Sequence, residues 1–156
     1  MKNHLQLIKL FAATLLLLSF FLPMSSCSYT VPINEDATVP GAETRTMINY
    51  PMQYVELNEV GSWLNILAFF WPLPLILLQW RSQGRKYSPV LIWFGLFLSV
   101  MSVAAVYTWA DIGTPMVGAW VGGGAAIALF IVYLTELVEF FRGRWGGKWK
   151  GKRNTG

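Results

Sequence analysis

The chain has 156 residues, of which 54% are apolar, 15% aromatic and only 13% charged, with a net charge of +4. Soluble domains are about 25% charged, so there is too little charge here to cover so much apolar surface. Composition excludes disorder, and one cysteine excludes a disulfide scaffold. The expectation is one integral membrane domain over residues 1–156.

A bilayer core of about 30 Å takes about 20 apolar residues of helix. Four segments approach that length: 5–22, 62–80, 89–110 and 115–141. Lipid offers no partner to an unpaired amide, and the alternating strands of a membrane barrel are not seen. The expected fold class is therefore all-α, with four transmembrane helices. An outer loop, 23–61, an inner loop, 81–88, and a basic tail, 142–156, complete the layout.

Charge sets the orientation. Lys2 and Lys9 flank the first segment, and Arg81, Arg85 and Lys86 lie between the second and third. Arg142, Arg144, Lys148, Lys150, Lys152 and Arg153 follow the fourth. Of the 12 basic residues only Arg45 falls on the other side. The positive-inside rule then places both termini in the cytoplasm of a bacterial-type inner (plasma) membrane. The pI of 9.4 is read as topology, not as nucleic-acid binding. Trp63, Trp109 and Trp120 fall near the outer interface, and Trp80 and Trp93 near the inner one.

The first segment has two readings. Met1 to Lys9 is a charged lead, Leu10 to Leu22 an apolar run, and PMSSC follows, ending at Cys27. Small residues before a lone cysteine resemble the bacterial lipoprotein processing site. That resemblance covers about 27 residues, with Met24 where the family usually has Leu. It implies cleavage before Cys27 and a lipid on that residue. The other reading is an uncleaved helix whose Lys9 snorkels to the interface. Both readings place Cys27 outside.

The outer segment reads as extended, turn-rich chain. YVELNEVGSW suits a short interfacial helix with Glu56 and Glu59 toward water. In WPLPL, Pro72 and Pro74 predict a kink in the second span. Thr114-Pro115 reads as the start of the last helix. Gly118, Gly122 and Ala126 are each four apart and share one face, which lets two backbones approach closely. They form a docking face for a helix of this chain or of another. Asn65, Ser99 and Ser102 can bond between helices.

Glu136 is the candidate intramembrane carboxylate. The length of its segment places it and Glu139 at the headgroups, with Arg142 within reach of Glu139. The tail of bases and Trp suits anionic lipid heads. His4 is the only histidine, which argues against haem or zinc. One cysteine cannot make a dithiol relay, and neither a phosphate loop nor a nucleophile elbow is present. No catalytic residue, metal or cofactor is expected. The expected function is a non-enzymatic accessory or assembly subunit acting through helix packing. Its partners would be the bilayer and another membrane protein or a second copy through the fourth helix. A small self-associating channel or transporter, using the kink and Glu136, is the alternative.

Overall fold

The computed structural model describes the backbone of residues 2–32, 42–56, 59–81 and 89–150, with side chains within 4–30, 44–56, 59–81 and 89–143. Arg85, Lys86, Lys152 and Arg153 lie outside the described residues, as do the side chains of Arg144, Lys148 and Lys150.

Helix α1 spans Lys2–Ser19. Its buried residues Gln6, Lys9, Ala13 and Leu16 recur every three or four positions, which is one helical face. Leu7, Phe11 and Leu18 point outward and are exposed. Strands β1 (Ser25–Pro32) and β2 (Ala42–Asn49) follow, and then a 3-10 turn at Pro51–Tyr54. Helices α2 (Val60–Phe70) and α3 (Pro72–Arg81) meet at 44°. The bend falls at Trp71. Pro72 and Pro74 occupy the first turn of α3, where a missing amide donor costs nothing. Helix α4 spans Pro89–Asp111, β3 is Thr114–Pro115, and α5 runs Val117–Lys150.

The molecule is mostly helical. By length and composition, α4 (Pro89–Asp111) and α5 over Val117–Gly143 are long and apolar enough to cross a membrane. The bent pair α2 and α3 makes a third if it counts as one span, and α1 is apolar but shorter. Large apolar side chains such as Phe11, Trp93, Phe97 and Trp120 are exposed on the helices. Exposure of so many large apolar side chains suits lipid.

The all-α expectation needs correction. The chain between α1 and α2 forms, with Thr114–Pro115, a three-stranded antiparallel sheet in the order β2-β1-β3. Its register runs from Ser25↔Asn49 to Pro32↔Ala42 on one side, with Ser25↔Pro115 and Ser26↔Thr114 on the other. The physical reason is backbone accounting: extended chain must place its N–H and C=O groups somewhere. Thr114-Pro115 is accordingly strand, and α5 starts after it. The sheet also fastens the exit of α1 to the entry of α5. The Met24 amide donates to Asn49 O at 3.0 Å, Met116 to Met24 O at 2.8 Å and Gly118 to Pro23 O at 2.9 Å.

Beneath the sheet, Phe20 packs edge-on against Phe70, with ring centroids 5.2 Å apart. Trp109 is only 8% exposed. Its indole turns inward, where Nε1 donates to Asn65 Oδ1 at 3.1 Å, and the ring lies 5.3 Å from Tyr54. Ser102 bonds between helices, donating to Ala68 O at 2.5 Å, whereas Ser99 donates to Leu96 O within α4.

The small-residue face of α5 is filled by this chain itself. A Cβ on Gly118 would lie 2.6 Å from Pro23 O, and one on Gly122 would lie 2.7 Å from Ser19 Oγ. Ala126 is fully buried. Of the two partners left open for this face, the structure sets this chain's own α1 and the segment leaving it against it: Gly118 meets Pro23 and Gly122 meets Ser19. Gly124, on another side of the helix, has open space around it. Gly122→Leu should therefore overpack the bundle and cost about 1–3 kcal/mol or more, whereas Gly124→Leu should leave the melting temperature near that of the parent. Thermal melts in mild detergent, followed by tryptophan fluorescence, check both.

Candidate functional site: a buried charge cluster

Three helices each carry a polar residue within a buried apolar stripe. On α1 the stripe ends at Gln6 and Lys9. On α3 it runs Pro72, Leu75, Ile76, Gln79. On α5 the Gly122 and Ala126 face continues through Leu129 and Tyr133 toward Glu136. Steps of three or four residues hold each set on one face. Packing of the stripes then brings the polar groups together.

Lys9 Nζ donates to Glu136 Oε2 at 2.6 Å and to Gln79 Oε1 at 3.0 Å. It also stands 4.2 Å from the centroid of the Tyr133 ring, a cation–π distance. The Lys9 side chain has no exposed surface, and that of Glu136 is 15% exposed. An unpaired charge at the centre of a membrane helix costs about 2.5–3.5 kcal/mol on insertion scales. Pairing the ammonium with a carboxylate cancels the net charge, and the amide carbonyl takes a further donor. The Tyr133 ring is wedged against α4 at Gly95, where any side chain would collide with it. Tyr133 is 1% exposed, and its hydroxyl has no hydrogen-bond partner among the described residues.

The cluster overturns one expectation and adds to another. Lys9 does not snorkel, because its ammonium finds a carboxylate inside the bundle and needs no water. Glu136 turns inward to pair with it. Being six residues before Arg142, it lies about 9 Å from that basic end at 1.5 Å per residue. Glu139 and Arg142 are both exposed and form no ion pair among the described residues. Sequence reasoning missed the partnership because the residues are 127 positions apart. The available signal was register: Lys9 and Glu136 fall on the same faces as the small and apolar packing residues.

The other candidates lie elsewhere. Cys27 is half-buried in β1, and its thiol donates to Ile112 O at 3.0 Å in the turn after α4. Pro72 is buried two turns before Gln79, and Pro74 is exposed. Two hollows open on the outside of the helices. One, about 330 Å³, lies between α2 and α4 beside Asn65, Ala68 and Trp109. The other, about 450 Å³, lies between α4 and α5 beside Tyr107, Trp120, Gly123 and Gly124. Neither is lined by Lys9 or Glu136.

Chemically, the cluster can hold a cation and can pass a proton between Nζ and Oε2. No protein-family profile matches the sequence, and no curated protein or solved structure is detectably similar to it.

Removing one partner of a buried pair strands the other charge, at about 3–5 kcal/mol. Lys9→Met should lose about that much stability. The double variant Lys9→Met/Glu136→Leu, with no stranded charge, should melt well above the single one. Equal melting temperatures for the two would show that the charges are not coupled.

Proposed function

We propose that the chain is a four-span inner (plasma) membrane protein with both termini in the cytoplasm. Residues 1–26 are retained, and the protein acts as a non-enzymatic accessory or assembly subunit. One observation carries this reading: α1 is fastened at both ends. The backbone bonds of Pro23 and Met24 hold its exit, and the Lys9–Glu136 pair holds its other end. Processing before Cys27 would remove every one of these contacts and leave Glu136 without its counter-charge. It would also strip Ser25 and Ser26 from β1. The packing therefore favours an uncleaved α1 over lipidation at Cys27.

The orientation rests on the remaining basic residues. Lys9 leaves the flanking set, while Lys2, Arg81 and Arg142 still mark the inner side. The accessory role is supported by how full the interior is. The ion pair satisfies itself, and the hollows face outward. A partner helix, from another membrane protein or a second copy, would meet the groove between α4 and α5. A Cβ on Gly124 would meet nothing there within 4 Å, and one on Gly123 only Val106 at 3.8 Å. No nucleic acid, cofactor or metal enters this reading. A specific observation favours a second one: a part-buried carboxylate close to the enclosed Tyr133, whose hydroxyl has no hydrogen-bond partner among the described residues, is what proton-coupled transport would use.

A pull-down in mild detergent from native membranes separates the two. The accessory reading expects a stoichiometric partner that is lost in Gly124→Leu while the fold is kept. Recovery of the chain alone, together with a flux abolished by Glu136→Gln, would replace it with transport. Mass spectrometry of the purified protein should find residues 1–26 still attached to Cys27; a lipid-bearing product beginning at Cys27 would refute retention of α1.

A further inference from the structure

The groups around Lys9 Nζ come from two directions. The acceptors, Gln79 Oε1 on α3 and the Glu136 carboxylate and Tyr133 ring on α5, belong to the body of the bundle. The ammonium alone comes from α1. A primary ammonium carries three N–H donors and no acceptor. A carboxylate oxygen at 2.6 Å, an amide oxygen at 3.0 Å and an aromatic ring at 4.2 Å are three kinds of electron-rich partner arranged around one nitrogen. Gly95 adds to the construction, since its bare backbone is what admits the Tyr133 ring at this position. The ring and its hydroxyl are fully enclosed, although the hydroxyl satisfies no described partner. Burial of that group makes sense if the ring is held there for its π face.

We propose that Gln79, Tyr133 and Glu136 form a receptor for a primary ammonium group, and that Lys9 is its tethered occupant. The ligand class is a primary alkylammonium: one charge, three donors and a slim apolar stem. The Lys9 side chain is fully buried, so an unbranched amine fills the same volume once that side chain is cut back. This inference stands independently of the accessory reading, because it concerns what the site recognises and not what the protein docks to.

The test is chemical rescue of the full-length chain in detergent. Lys9→Ala removes the side chain beyond Cβ, and n-propylammonium supplies the missing atoms. Lys9→Ala should melt below the parent. n-Propylammonium chloride should restore more than half of that loss, and tetramethylammonium chloride at equal concentration should restore none, since it has no N–H donors. The double variant Lys9→Ala/Glu136→Gln should show no propylammonium-specific gain. Equal effects of the two salts, or equal rescue of the double variant, would overturn the proposal. Should Lys9→Ala fail to accumulate, Lys9→Arg decides. A planar guanidinium with five donors does not fit a three-partner cage for one nitrogen, so its melting temperature should fall. A parental value would refute a primary-ammonium site.

Discussion

An ammonium enclosed by apolar helices has to meet a counter-charge, and much of this structure follows from that. Lys9 leaves no freedom in how α1 is rotated, because its face must look at Glu136. It sets the register of α1 along α5, since a shift of one turn would part the two charges by about 5.4 Å. Gln79 then fixes the rotation of α3, and Gly95 fixes how closely α4 approaches Tyr133. One electrostatic requirement thus orients helices that hydrophobicity alone would leave free to turn. That matters most in lipid, where apolar side chains gain little by moving from the bilayer to a helix interface.

A buried ion pair is a weak source of net stability, since desolvation offsets most of the attraction. Its value here lies in specificity. The pair lies toward the basic end of the bundle, and the sheet with its backbone bonds closes the other. Between them, Gly118, Gly122 and Ala126 let α1 and the chain leaving it lie close against α5. The small residues supply proximity without direction, and the charges supply direction. Function, on the reading favoured here, belongs to the outside of such a bundle, where the α4–α5 groove remains open.

Much of the helical layout was legible because it depends on local composition. The uncharged run at 89–110 and the long run at 115–141 are where α4 and α5 lie. The WPLPL motif is where the backbone bends. What stayed hidden was non-local. Strand β1 is made by residues that neighbour it only in space, Ala42–Asn49 and Thr114–Pro115, and no run of SSCSYTVP announces them. Lys9 looked like a flanking charge because hydropathy counts residues along the chain and ignores the face they occupy. The partner of Glu136 stayed hidden because its distance from the tail was counted, while its alignment with Gly122, Ala126 and Tyr133 was not. In each case the missing information was angular or three-dimensional.

The separation of 127 positions between Lys9 and Glu136 has a meaning in time. Helix α1 leaves the ribosome well before its counter-charge, which follows 127 residues later. At about 5–20 residues per second, Lys9 waits roughly 6–25 s for Glu136. Throughout that interval α1 carries an uncompensated charge and lacks the surface of α5 against which it packs. Its place in the bundle is then provisional, and α5 is what makes it permanent. Before α5 is made, α1 is in the state of a leader segment, so synthesis of α5 itself converts that segment into a member of the bundle.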